Sequence, residues 1–268
     1  MAWTPGREPL YLGILNLTPD SFSDGGRFLA LEDALAQARR LLEAGVAVLD
    51  LGAESTRPGA AYISPEAEWQ RLAPVMARLR TELPDLPLSL DTRHASTARL
   101  ALDHGGSIIN DVAGLRDPAM LALVVERGCD VIAMRSRMVG EAFVMPSYDD
   151  PTPRTADAAV EELRQVRDRL LDAGMARDRI LLDLGFGFGT SYQEDLAMWE
   201  SLPTLPERLD WPAEGFCIAV SRKRFLSRMA GTPELPPNQR DGLTAQAHRE
   251  AMSLGYRIFR THALPAIL

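Results

Sequence analysis

Eight short, β-rich apolar runs, each with a polar residue at or near its end, punctuate this chain: LGILNL, AVLDLG, LSLDT, SIINDV, VIAMR, ILLDLG, FCIAVS and RIFRTH. Between most of them lies a segment with apolar residues at helical spacing, such as LEDALAQARRLLEAG. Gly45, Gly105, Gly128 and Gly255 each stand two or three residues before the next run, and Gly174 stands six before ILLDLG. That repeated order of helix, glycine and strand is what a parallel sheet with crossover helices requires. Eight such units in 268 residues favour an α/β chain folded as one closed (β/α)8 TIM barrel, a single domain over residues 1–268, over an open doubly wound sheet. After the eighth run only ALPAIL follows His262, so the eighth helix is expected to be short or missing.

The net charge of −8 argues against a generic nucleic-acid or anionic-membrane binder, so any anion must be held by a local cluster of cations. The expected partners are small molecules. Cys129 and Cys217 both lie in apolar runs and read as buried thiols of a reducing compartment. No apolar stretch approaches a membrane span and MAWTPGREPLY lacks signal-peptide form, so the cytoplasm is the expected location. Neither a G-x-G-x-x-G dinucleotide signature nor a P-loop is present. The Pro-rich PTPRT and TPELPPNQRDG read as loops within the domain.

Barrels of this kind carry their active site at the C-terminal mouth, so the polar residues ending each strand are the candidates. They are Asn16, Asp50 with Glu54, Asp91, Asn110 with Asp111, Arg135, Asp183, Ser221 with Lys223, and Arg260 with His262. Taken singly, a strand-end Asp can merely cap the next helix, and His94 or His104 reads as a surface residue. The SRKR run at 221–224 places cations against the helix dipole, a conflict that an anionic ligand would resolve. Asp91, Asn110 and Asp183 supply acceptors and an amide, suited to a planar heterocycle rich in N–H groups. Asn16, Arg57, Lys223, Arg260 and His262 suit phosphate oxygens, including those of a metal-bound diphosphate. Phe188, within GFGFG, offers a ring to lie against the heterocycle.

With these residues in place, GILNLTPDSFSDGG and LDLGAESTRPGA resemble the two most specific signatures of the dihydropteroate synthase family. LSLDT, IINDVAGL, LDLGFGFG, VSRKRF and FRTH follow in that family's order. The resemblance implies a pterin-binding transferase of folate biosynthesis, the sulfonamide target. It would join p-aminobenzoate to 6-hydroxymethyl-7,8-dihydropterin diphosphate and release diphosphate. By motif, Asp91, Asn110, Asp183, Phe188 and Lys223 would bind the pterin. Asn16, Arg260 and His262 would hold the diphosphate, and Asn16 would also ligate Mg²⁺, the implied cofactor. Phe22, Thr56, Arg57, Pro58 and Ser221 would border the p-aminobenzoate pocket, and Asp183, Lys223 and Arg260 would carry the catalysis. A homodimer is the usual assembly of the family.

The chain departs from the family pattern at several positions. Ala53 replaces a glycine, Arg135 a histidine, Leu184 a proline, Thr190 a lysine and Ala263 an aspartate, the last as in sulfonamide-insensitive relatives. Ala53, Leu184, Arg135 and Ala263, with the missing last helix, motivate one alternative, a non-catalytic or regulatory pterin-binding homologue. A methyltetrahydrofolate methyltransferase-type barrel is the other, although it has no need of the diphosphate cations. Residues Asp20–Gly26 lack apolar periodicity and carry one large apolar residue, Phe22, so the segment is expected to order only over bound diphosphate and Mg²⁺. That implies ordered binding with p-aminobenzoate last. Arg260 is expected to serve the diphosphate alone, so that its loss would spare a diphosphate-free pterin.

Overall fold

The computed structural model describes residues 8–18, 26–55, 62–139, 142–143 and 147–264. Eight parallel strands close into one barrel: β1 (Leu10–Asn16), β2 (Val48–Gly52), β3 (Leu88–Asp91), β4 (Ile108–Asp111), β5 (Asp130–Met134), β6 (Ile180–Asp183), β7 (Phe216–Ile218) and β8 (Ile258–Thr261). Each pairs with its neighbours in sequence, and β8 closes on β1 with Leu12 opposite Arg260. The eight apolar runs are these eight strands. The intervening helices are α1 (Gly26–Glu43), α2 (Pro65–Glu82), α3 (Ala95–Asp103), α4 (Pro118–Arg127) and α5 (Asp157–Asp172). Two follow β6, α6 (Tyr192–Glu200) and α7 (Leu205–Arg208), and two follow β7, α8 (Phe225–Met229) and α9 (Asp241–Ser253). Among the described residues no helix follows β8.

Local chemistry sets the helix ends. The Ser64 hydroxyl accepts the Ala67 N–H at 3.3 Å, Pro65 occupies the first turn, and Glu66 and Glu68 sit at the positive end of the α2 dipole. Leu72, Val75, Met76 and Leu79, spaced by three, one and three, are the stripe α2 buries. The Asp117 carboxylate caps α4 through the Ala119 N–H at 2.9 Å, and Gly128 stops it at φ 56°, a left-handed conformation that disfavours a β-carbon. The other four punctuating glycines also have positive φ.

The barrel interior has two levels. Leu12, Val48, Ile108, Ile132, Leu181, Cys217 and Ile258 fill the lower level as a closed apolar plug, with Leu10 packed against it. Burying each of the larger side chains contributes roughly 1.5–3 kcal/mol. A strand returns to the same face every second residue. Two residues beyond Val48, Ile108, Leu181 and Ile258 stand Asp50, Asn110, Asp183 and Arg260. The inside of the barrel therefore changes from apolar to polar and charged within one pleat.

Two details were not legible in advance. Met138–Val139 and Ala142–Phe143 pair as a small antiparallel hairpin between β5 and α5, and the second Pro-rich stretch contains a 3₁₀ turn at Pro237–Gln239. Cys129 and Cys217 are free and buried. No helix among the described residues is long and apolar enough to cross a membrane.

Candidate active site

The floor of the mouth is organised around a carboxylate that the strand-end reading left without a ligand role. Asp50 is fully buried. Its Oδ1 accepts the Ser89 hydroxyl at 2.5 Å, and its Oδ2 accepts Asn110 Nδ2 at 3.1 Å and Arg260 Nε at 2.6 Å. Arg260 Nη2 then donates to Asp91 Oδ2 at 2.6 Å. Burial works against the guanidinium's charge, but Asp50 and Asp91 outweigh it and hold Arg260 firmly protonated. Burial pushes the Asp91 carboxyl up to about 7, with Arg260 opposing the rise and Asp50 reinforcing it. Gly52 makes room for this group, since a β-carbon there would stand 3.3 Å from Asp91 Cβ. The structure thus brings Asp91, Asn110 and Arg260 together, and joins an expected diphosphate residue to the expected pterin floor. Asp111 is different. Its carboxylate accepts the Ala113 and Leu115 N–H groups at 2.7 and 2.8 Å, so it caps a turn.

The loop after β6 forms the opposite wall. Asp183 is buried, its Oδ1 accepts the Gly185 N–H at 2.8 Å, and burial raises its pKa. Gly185 has φ 68°, and a β-carbon there would stand 2.1 Å from the Arg135 carbonyl oxygen, so no side chain fits. Phe186 turns outward to stack on Phe225 at 5.1 Å. Phe188 stays half-buried, and Lys223 Nζ lies 4.2 Å from the centre of its ring. Burial lowers the Lys223 pKa to about 8, against the pull of Asp183 and Asp195.

Arg135, read from the sequence as a mouth residue, instead braces this loop from behind. It is 1% exposed, and it donates Nε to the Leu184 carbonyl at 3.0 Å and Nη1 to Glu162 at 2.8 Å. Glu162 in turn accepts Arg137 Nε at 2.9 Å, and Arg137 Nη1 reaches Glu194 at 2.5 Å. Thr190 donates to Asp195 at 2.7 Å, and both oxygens accept the Gly187 N–H. Arg135 is thus bonded to the Leu184 carbonyl, and Thr190 to Asp195 and Gly187. Ala53 is buried and its carbonyl accepts Arg71 Nη1 at 2.8 Å. The Ala263 carbonyl accepts the Thr261 hydroxyl at 2.6 Å.

At the rim, Ser221 is tied to His262: its Oγ accepts the His262 N–H at 3.1 Å and lies 3.1 Å from the ring Nδ1. Burial, then the cations Arg260, Arg222 and Lys223, lower the His262 pKa to about 3, so the ring is neutral. The cation conflict in SRKR is settled partly by acids. Arg222 donates twice to Asp241, at 2.7 and 2.9 Å, and Arg224 pairs with Glu234 at 2.7 Å. Lys223 is the member of the run that faces the mouth. His94 is no surface residue, because its ring lies 3.6 Å from Glu54, which Arg93 holds at 2.9 and 3.0 Å. Burial disfavours that carboxylate, but His94 and Arg93 outweigh it and hold Glu54 at about 2.

Asn16 ends β1 half-buried, opposite Gly52. Phe22, Thr56, Arg57 and Pro58, and most of the 20–26 segment, lie outside the described residues. The residues the strand-end reading missed are Asp50 as an organising group, Ser89 and Asp195. Two-residue alternation from Val48 would have placed Asp50 on the inner face, and nothing in local sequence marks the other two.

Comparison with known proteins places the chain among pterin-binding enzymes. A family model described as pterin binding enzyme matches residues 12–262. The dihydropteroate synthase of Bacillus subtilis (strain 168) is 36% identical over 261 residues, which is 97% of this chain and 85% of that protein. A Xanthomonas albilineans dihydropteroate synthase structure with 4-aminobenzoic acid superposes with a TM-score of 0.83, at 37% identity, over 97% of this chain and 89% of that one. The same enzyme in complex with 7,8-dihydropteroate gives 0.78 at 34% identity, over 97% and 90%. The chain belongs to the dihydropteroate synthase family of pterin-binding enzymes.

Proposed function

We propose that this barrel condenses p-aminobenzoate with 6-hydroxymethyl-7,8-dihydropterin diphosphate, giving 7,8-dihydropteroate and diphosphate. The carrying observation is the mouth itself, in which Asp91, Asn110 and Asp183 line the floor beside Lys223, Arg260 and His262. The Xanthomonas relative was solved with 4-aminobenzoic acid and with 7,8-dihydropteroate, a substrate and the product of this reaction.

The bond that breaks joins a methylene carbon to a diphosphate oxygen. Positive charge on that carbon spreads into the dihydropterin ring, so departure can run ahead of attack. Catalysis then needs stabilisation of the leaving charge and a dry pocket for the amine, and no strong base. Asp183 receives hydrogen bonds from the ring and so favours positive charge there. Phe188 stacks on the heterocycle, with Lys223 fixing its edge. Arg260 presents the charge and His262, neutral, an N–H to the departing oxygens. Ser221 orients the His262 ring.

Among the described residues no three His, Cys, Asp or Glu side chains converge on a metal position. Asn16 offers one neutral oxygen at the β1 tip. That donor set fits a Mg²⁺ held chiefly by the diphosphate and water, with Asn16 as a protein ligand. Bound there, it would offset charge on the leaving group.

Neither alternative gains an observation. The departures that suggested a non-catalytic homologue are locally satisfied, and the relatives compared are synthases, not methyltransferases. The test is diphosphate release from the pterin diphosphate with Mg²⁺. Release that depends on p-aminobenzoate is the expected result. Tight pterin binding with no release would overturn the reading.

A further inference from the structure

Of the 29 lysine and arginine residues in this chain, 28 are arginine and one, Lys223, is lysine. Guanidinium groups stay protonated and are poor nucleophiles. Every internal cation but one is thus closed to amine chemistry, and the exception stands in the active-site mouth.

The surroundings of that amine are unusual for a lysine. Its stem runs along Gly187, where a β-carbon would lie 3.3 Å from Lys223 Cδ. Its Nζ faces the Phe188 ring at 4.2 Å. Among the described residues it forms no ion pair, and the flanking Arg222 and Arg224 are matched by Asp241 and Glu234. The charged groups that act on it are Asp183, Asp195, Arg260 and Asp91, and it acts in turn on His262. The residue as a whole is half-buried.

We propose that Lys223 is a site of acylation, and that small acyl phosphates are the donors this mouth selects. The selection rests on the reading above, in which Arg260 and His262 take phosphate oxygens. The neutral Nζ attacks the carbonyl carbon of the acyl phosphate and a C–N bond forms. The C–O bond to phosphate breaks, phosphate leaves with its electron pair, and the proton shed by nitrogen leaves on it. No redox partner is needed. The burial that holds the amine at about 8 supplies the neutral form near physiological pH far more readily than an ordinary lysine does. Acylation replaces the cation over Phe188 by a neutral amide, which removes the cation–π contact and fills the pterin edge. One modification would silence the site.

The experiment treats the full chain with acetyl phosphate at pH 8 and follows acetylation by peptide mass spectrometry. Nα-acetyllysine amide in the same tube serves as the clock, and K223R assigns the peptide. The expected result is acetylation of Lys223 about tenfold faster than the free ε-amine, slowed severalfold by inorganic diphosphate. A rate at or below that of the free amine would overturn the proposal, and so would indifference to diphosphate. The readout is a mass and requires no turnover, so failure here leaves the condensation reading standing. Failure of the condensation assay with Lys223 still labelled would separate the two the other way.

Discussion

Arg260 on β8 and Asp50 on β2 meet inside the barrel, Nε to Oδ2 at 2.6 Å, with β1 between their strands. The same guanidinium reaches Asp91. The cation expected to serve only the diphosphate is thus bonded to Asp91, a residue expected to bind the pterin. Arg260→Ala should weaken a diphosphate-free pterin analogue about tenfold as well, because Asp91 and Asp50 lose a shared charged partner. Calorimetric titration checks this. Unchanged affinity for the analogue would support the independent role inferred from sequence.

Asp50→Ala should cost about 3–5 kcal/mol of folding stability, since it leaves Arg260 buried with one partner fewer and Asn110 Nδ2 without its acceptor. Urea unfolding measures it. A loss below about 1 kcal/mol would place Asp50 outside the organising role.

The strand–helix order was legible because eight apolar runs and five glycines repeat one local grammar, and the mouth followed from where parallel strands end. What was not legible is direction. Arg135 and Asp183 both close apolar runs, yet Asp183 faces the mouth and Arg135 turns behind it to Leu184 and Glu162. Only the closed barrel decides which face is inward. Partners far along the chain, such as Asp50 and Arg260, have no local signal at all.

Asp183→Ala should abolish measurable binding of a pterin analogue, a loss of about a hundredfold or more, since each hydrogen bond to a charged group contributes roughly 1.5–3 kcal/mol. Affinity within a few-fold of the parent would remove Asp183 from the site.

Arg135→Met should raise KM for the pterin diphosphate severalfold with a smaller change in kcat, because it frees the Leu184 carbonyl and loosens the loop that carries Phe188. Arg135→Lys should rescue in part, through Glu162. A fall in kcat alone would mean the loop is positioned by other contacts.

His248 is fully buried against Phe259 and Tyr11, with neither ring nitrogen hydrogen-bonded, and burial lowers its pKa to about 3. The unfolded chain binds this proton near pH 6.5, so stability is lost as pH falls from there toward 3, on the order of a few kcal/mol. His248→Leu, similar in volume, should shift acid unfolding to lower pH. An unchanged midpoint would assign acid lability to other groups.

The central claim is that the mouth makes a carbon–nitrogen bond while diphosphate departs. Mass spectrometry of a reaction run with p-aminobenzoate labelled at its amine nitrogen tests it most directly. The account predicts 7,8-dihydropteroate carrying the label, formed in step with diphosphate and lost in Asp183→Ala. Diphosphate released with only hydroxymethylpterin alongside, and no labelled product, would contradict it.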